Sequence, residues 1–359
     1  MSVLKLKKPR NDFSQKGSNS EFLNENDSVF VINKLNTHKG NFYVKDINFS
    51  IPRGKILSIL GASGSGKTLI LRSIAGLEKI DSGYIYNGRN RFDILPIEER
   101  KLGFVFQNCA LFPHYNVKKN ISFPLIIKGN KKENIDIKVN EILDEFSIDK
   151  IYSGFKPEQL SQGIKQLVAL GKEKIRDFEL FLMDEPFNFL DKNIHEVMRL
   201  FIKRVIDLIN KTTIISLNDS KDAMFLSDYI MVIDNGRVLQ IGKCFDIYDN
   251  PKSPLVLEMI SHFGVNKLGV VVKDKKIIPY DIKVDRKEGN YNLYFRAEEI
   301  EVVKKGIKAE VQKRFFYNGK NELCECKTES GNMIKLLLPV KINDNFKFIP
   351  QKPFLFEGK

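Results

Sequence analysis

A chain of 359 residues, 42% hydrophobic and 29% charged, has the length for two domains and the composition of an ordinary globular protein. It holds no run of about 18 apolar residues, which excludes a membrane-spanning helix, and its four scattered cysteines exclude a disulfide framework. The net charge of +13 sits on lysines spread along the whole chain, with no basic stripe interleaved with aromatics, so it points to no nucleic-acid partner.

Residues 1–27 are polar and aperiodic, and the expectation there is a disordered tail without the apolar centre of a secretory signal. Short β-type runs follow at Val29–Ile32, Phe42–Val44 and Ile47–Ile51, and Pro52-Arg-Gly54 makes the turn after them. The rings of His38, Phe42 and Tyr43 are candidates to stack on a nucleotide base, and each is equally a strand position.

The apolar run Ile56–Leu60 then leads into Gly61, Ala62, Ser63, Gly64, Ser65, Gly66, Lys67 and Thr68, with helix-like residues from Leu69 to Gly76. This is the full G-x4-G-K-[ST] pattern in its strand-to-helix setting. Glycine lets the backbone turn tightly enough for successive N–H groups to face phosphate oxygens, and the start of a helix adds its positive dipole end. Lys67 is then placed for the β- and γ-phosphates of ATP and the Thr68 hydroxyl for Mg²⁺.

Asn87-Gly88 reads as a hairpin turn, and Leu102–Val105 as a buried strand leading to Gln107. From about 115 to 178 the period becomes helical, with Val139, Ile142, Leu143 and Phe146 on one face, which predicts a helical insert. Leu180–Met183 is a buried parallel strand ending in two acids: Asp184 suits Mg²⁺, and Glu185 can orient or deprotonate a water. An amphipathic helix is expected over 192–210, its core stripe being Ile194, Val197, Met198, Phe201, Val205 and Leu208. Thr213–Leu217 is the next core strand, followed by Asn218 and Asp219. Strands alternating with helices predict an α/β fold on a mainly parallel sheet. Beyond about 265 helical periodicity ends and short strands predict a small all-β domain, where Cys324 and Cys326 share one strand face with no second pair to complete a metal site.

The P-loop, Gln107, Leu160-Ser-Gln-Gly163, Asp184-Glu185 and Asn188-Phe-Leu-Asp191, in that order, resemble the nucleotide-binding subunit of ABC transporters over about residues 29–250. Residues 265–359, with Phe295-Arg-Ala-Glu298, resemble the OB-like TOBE domain of importer ATPases. The resemblance implies an ABC-type P-loop NTPase domain over 28–262, its helical insert at about 108–178, and a dimer holding two ATP and two Mg²⁺ between its subunits. On this chain it makes Gln107 the γ-phosphate and metal sensor. Ser161 and Gly163 become the residues that cap the partner's ATP, and Asp191 the link between the two sites. Leu111-Phe-Pro-His114 would open a docking surface for two membrane permease subunits on the cytoplasmic face, served by an extracytoplasmic solute-binding protein. The solute expected from Gly103–His114 is ferric iron or an oxyanion, with polyamines and sugars as alternatives.

Two departures from the family pattern bear on rate. The signature Leu-Ser-Gly-Gly-Gln is Leu160-Ser-Gln-Gly-Ile164 here, which sets a side chain at Gln162 where backbone approaches phosphate and removes a polar group at Ile164. Asn218 replaces the switch histidine and cannot carry its positive charge. Slow hydrolysis, or a partner role in a heterodimer, is the expectation.

Overall fold

The structure, a computed structural model, describes residues 29–278, 280, 282–340 and 342–357, so the tail expected at 1–27 lies outside the described residues. The chain divides into two compact units, and passes from the first to the second between Cys244 and Phe245.

The first unit opens with β1 (Val29–Lys39) and β2 (Phe42–Pro52), an antiparallel pair joined later by β4 (Ser82–Asn87) and β5 (Asn90–Arg91). Where the sequence suggests separate short runs, the strands run on through bulges. The register shifts between Ile32 and Thr37, and Lys34 and Asp46 take φ of 48° and 52°. A hairpin turn forms one residue later than expected: Asn87 pairs with Asn90 as the last strand residue, and Gly88 and Arg89 make the turn.

The second sheet has six strands: β3 (Ile56–Leu60), β6 (Leu102–Val105), β7 (Leu180–Asp184), β8 (Thr212–Leu217), β9 (Tyr229–Asp234) and β10 (Arg237–Lys243). Their order is β10-β9-β3-β8-β7-β6, parallel throughout except for the antiparallel edge strand β10. Every residue of β3, β6, β7 and β8 is buried, which explains why these strands read as mainly apolar runs without alternation. Helix α1 (Lys67–Ala75) follows β3, and its Leu69, Ile70, Leu71 and Ile74 pack into the core shared with the antiparallel sheet.

Helices α2 (Val117–Ile127), α3 (Lys132–Glu145) and α4 (Gln162–Lys174) make the helical segment before β7. Helix α5 (Lys192–Ile209) falls where its period places it, but the stripe is corrected: Met198, Ile202, Val205, Ile206 and Ile209 are buried, while Ile194, Val197 and Leu208 are exposed. The apolar arc of this helix is wider than one face, and packing selects an arc rotated by less than one residue step. Helix α6 (Ser220–Leu226) follows β8.

The second unit carries α7 (Cys244–Asp249) and α8 (Pro254–Ile260) ahead of nine strands: β11 (Val265–Lys273), β12 (Lys276–Ile278), β13 (Ile282–Lys283), β14 (Gly289–Arg296), β15 (Ile300–Phe316), β16 (Asn321–Thr328), β17 (Met333–Pro339), β18 (Asn345–Pro350) and β19 (Phe354–Glu357). They form two antiparallel sheets, β13-β12-β11-β14-β19 and β17-β16-β15-β18, around one core that includes Leu268, Phe295 and Phe348. Cys324 and Cys326 are both fully buried in that core as free thiols, as their shared face requires. Arg296, in the centre of the motif noted above, is fully buried and its charge is met by Glu299 at 3.0 Å, the Ser261 hydroxyl at 3.0 Å and the Tyr248 carbonyl.

Candidate active site

In a parallel sheet the groups that follow each strand gather at its carboxyl edge. Here β3 runs into Gly61–Lys67, β6 leads to Gln107, β7 ends at Asp184 with Glu185 next, and β8 leads to Asn218, so four loops from adjacent strands meet.

The loop after β3 demands its glycines. A Cβ at Gly61 would lie 2.4 Å from the Ser65 hydroxyl and 2.6 Å from the Ile233 carbonyl, distances no side chain survives. Gly66 precedes α1 at φ 108°, and a Cβ there would meet Val44 at 2.8 Å and Phe42 at 3.1 Å. Of the three aromatic candidates, Phe42 thus braces the loop, while His38 and Tyr43 stack on each other at 5.3 Å with Tyr43 half exposed.

Lys67 is buried, and its Nζ donates to the carbonyls of Gly61 at 3.0 Å and Ala62 at 2.9 Å and lies 3.2 Å from Glu185 Oε1. Glu185 also accepts from Asn188 at 2.8 Å and from Gln107 at 3.4 Å, and holds a left-handed backbone at φ 44°. A carboxylate so restrained from three sides is aimed rather than mobile. Asp184 accepts from Thr68 Oγ1 at 3.0 Å and from Ser216 Oγ at 2.7 Å, and burial pushes its carboxyl above the usual range against the pull of those two hydroxyls. The Ser216 hydroxyl in turn accepts the Glu185 backbone N–H at 2.9 Å.

Ser216 is the functional neighbour that sequence reasoning missed. It pairs with Asp184 across β7 and β8, a register that no local pattern announces.

The geometry fits a polyanion with a hard cation. Ser65 Oγ is buried with no hydrogen-bond partner among the described residues, an orphan acceptor and donor beside the main-chain N–H groups of the loop. Thr68 and Asp184 offer the oxygen donors that Mg²⁺ takes.

A family model described as "ABC transporter" matches residues 44–188. The chain is 33% identical over 332 residues to the sulfate/thiosulfate import ATP-binding protein CysA of Gloeobacter violaceus, covering 90% of this chain and 92% of that protein. The chain belongs to the ABC transporter ATP-binding family. CysA of Synechococcus elongatus is 37% identical over 236 residues, 65% of this chain and 68% of its own length. The maltose/maltodextrin import ATP-binding protein MalK of Escherichia coli K12 is 40% identical over 228 residues, 64% of this chain and 61% of that one. A dimeric ATP-binding cassette solved in a post-hydrolysis state with ADP and Pi superposes with a TM-score of 0.54 at 28% identity, over 60% of this chain and 98% of that structure.

The other positions named from the sequence lie at the starts of α4 and α5 and just past β8. Ser161 is exposed, caps α4 by accepting the Ile164 N–H at 3.4 Å, and stands beside buried Gly163. Asp191 is the exposed N-cap position of α5, and Asn218 is exposed beyond β8. Gln162, between Ser161 and Gly163, turns its amide inward to Cys109 Sγ at 3.7 Å. The loop from Phe112 to Asn116 is stitched by fully buried Asn120, which accepts the Phe112 N–H at 2.7 Å and donates to the Phe112 and Tyr115 carbonyls at 3.1 and 2.9 Å. It holds Phe112, Tyr115 and Phe123 as a cluster with Phe112 partly exposed. No described helix is long and apolar enough to cross a membrane.

Proposed function

We propose that this chain is the ATP-hydrolysing subunit of a membrane importer, with two copies closing on two ATP molecules and reopening after hydrolysis. The observation that carries the reading is the Lys67–Glu185 contact of 3.2 Å, because it sets a phosphate-binding cation and a water-activating carboxylate in one buried place. Lys67 would exchange its contact with Glu185 for the β- and γ-phosphates, and Glu185 would then accept a proton from the water that attacks the γ-phosphorus as ADP leaves. The N–H groups of Gly61–Lys67 would cradle the phosphates. Thr68 and Asp184, with Gln107, would hold Mg²⁺, which when bound neutralises charge on the transferring phosphoryl oxygens.

Ser161, Gly163 and Asp191 are exposed or beside exposed groups, which supports their action on a partner's nucleotide. The aromatic cluster at Phe112 supports docking of the 108–178 insert on two permease subunits at the cytoplasmic face, with a solute-binding protein acting on the far side. The 265–359 segment is read as a TOBE-like regulatory domain, supported by its two antiparallel sheets around one core. The relative aligned along nearly its whole length is named for sulfate and thiosulfate, which supports an oxyanion cargo over ferric iron. The maltose relatives keep a sugar as the alternative. Asn218 and Ile164 favour slow turnover, and with it the second reading of a partner subunit in a heterodimer.

Nucleotide binding and MgATP turnover on the purified chain test the proposal. Lys67→Ala should weaken ATP binding at least about 100-fold, the cost of truncating one member of a buried charged pair. Glu185→Gln should keep binding and abolish turnover, and Asn218→His should speed turnover about tenfold. Unchanged affinity in Lys67→Ala overturns the reading; tight binding without turnover in the unaltered chain converts it to the heterodimer form.

A further inference from the structure

We propose that Gln162 is a positioning residue that ties the first turn of α4 to the loop bearing Gln107, with the Cys109 thiol as the link. The inference rests on the ATPase reading above and assigns a use to the residue that breaks the signature pattern.

Gln162 and Gln166 are four apart on α4 and so share one face. Both reach the same sulfur: Gln162 Nε2 donates to Cys109 Sγ at 3.7 Å, and the thiol donates to Gln166 Oε1 at 3.0 Å. Cys109 and Gln166 are each 2% exposed, so the bonds form away from competing water. The loop needs such a hold, since Cys109 and Ala110 are consecutive non-glycine residues at φ 62° and 41°. A third tie from the same helix, Lys172 Nζ to the Ala110 carbonyl at 2.8 Å, secures the next residue.

A continuous line of contacts follows. Glu185 touches Gln107 at 3.4 Å, Gln107 lies two residues before Cys109, and Cys109 is bonded to Gln162, which adjoins Ser161. Within one subunit, the carboxylate of its own site is thereby linked to the signature turn it lends to the partner's site. A glycine at 162 has no atom with which to make that link.

Two measurements on the full chain test it. The first is alkylation of Cys109 by iodoacetamide, followed by peptide mass spectrometry with buried Cys244 as the internal control. Gln162→Ala should speed labelling of Cys109 about tenfold and leave Cys244 unchanged; equal rates at Cys109 overturn the link. The second is a double-mutant cycle on MgATP turnover. Gln162→Ala and Cys109→Ala should each lower kcat about 5- to 10-fold with KM for ATP within about twofold, and the double variant should lose no more than the worse single one. Cys109→Ser, which keeps a donor and an acceptor, should recover much of the rate. Losses that multiply, or a shared rise in KM with a fall in thermal midpoint, overturn the positioning role. Faster labelling without a kinetic effect overturns the role alone, whereas failure of Lys67→Ala to weaken ATP binding overturns the ATPase reading beneath it.

Discussion

Asp184 shows what a buried carboxylate costs the protein that keeps it. Burial is the largest influence on its pKa and raises it, opposed by the Ser216 and Thr68 hydroxyls and reinforced by the neighbouring charge of Glu185. A carboxyl whose folded pKa lies above its ordinary 3.8 binds protons more tightly in the folded chain than in the unfolded one. Its contribution to stability is therefore complete below that ordinary value and is lost as pH rises through the folded pKa. Once ionised, the group is a liability retained for its chemistry. Asp184→Asn keeps a carbonyl toward both hydroxyls, and in calorimetry at pH 7 its melting temperature should rise by about 2–4 °C, a gain that shrinks as pH is lowered toward 4. A lower melting temperature at pH 7 would sink this account. The role of Asp184 as an acid at a strand end is legible in the order of residues. Its partnership with Ser216 is not, because Ser216 lies 32 positions away on another strand.

At the scale of elements, α5 separates what periodicity tells from what packing chooses. Its existence and span follow from apolar residues at helical spacing. Its buried face does not, since Ile194, Val197, Ile202, Ile206 and Leu208 together spread apolar groups around half the helix. Ile202, fully buried, should cost about 2–5 kcal/mol of unfolding free energy when cut to alanine. Val197, 66% exposed, should change stability by no more than about 0.5 kcal/mol as serine. Urea unfolding of both variants decides the matter, and the reverse ranking would refute the assigned face. The bulges of β1 and β2 belong to the same lesson, because Lys34 and Asp46 are residue types that carry no turn signal strong enough to foretell a left-handed backbone inside a strand.

At the scale of the molecule, two cores govern two compact units. The first gathers Leu57, Ile70, Leu182, Ile214 and Met231 between the sheets and α1. The second lies wholly among residues beyond 245, and it includes Phe295, Cys324, Leu336 and Phe348. A unit with its own apolar core has what it needs for independent cooperative folding. Residues 245–359 produced alone should therefore melt in a single transition with a near-ultraviolet circular dichroism signal. A gradual melt without that signal would show that this core depends on the rest of the chain.

Short-range chemistry was enough to recognise the phosphate loop, the paired acids and the strand-helix alternation. Glycine's freedom at Gly61 and Gly66, the charge of Lys67 and the apolar runs of β3 and β7 are properties of neighbours in the chain. Packing of the folded chain was needed for the contacts between Lys67 and Glu185, Asp184 and Ser216, and Gln162 and Cys109, and for the face that α5 buries. Each of these depends on strand order, register or helix rotation, quantities set by how distant segments fill one interior and not by any residue's own preference.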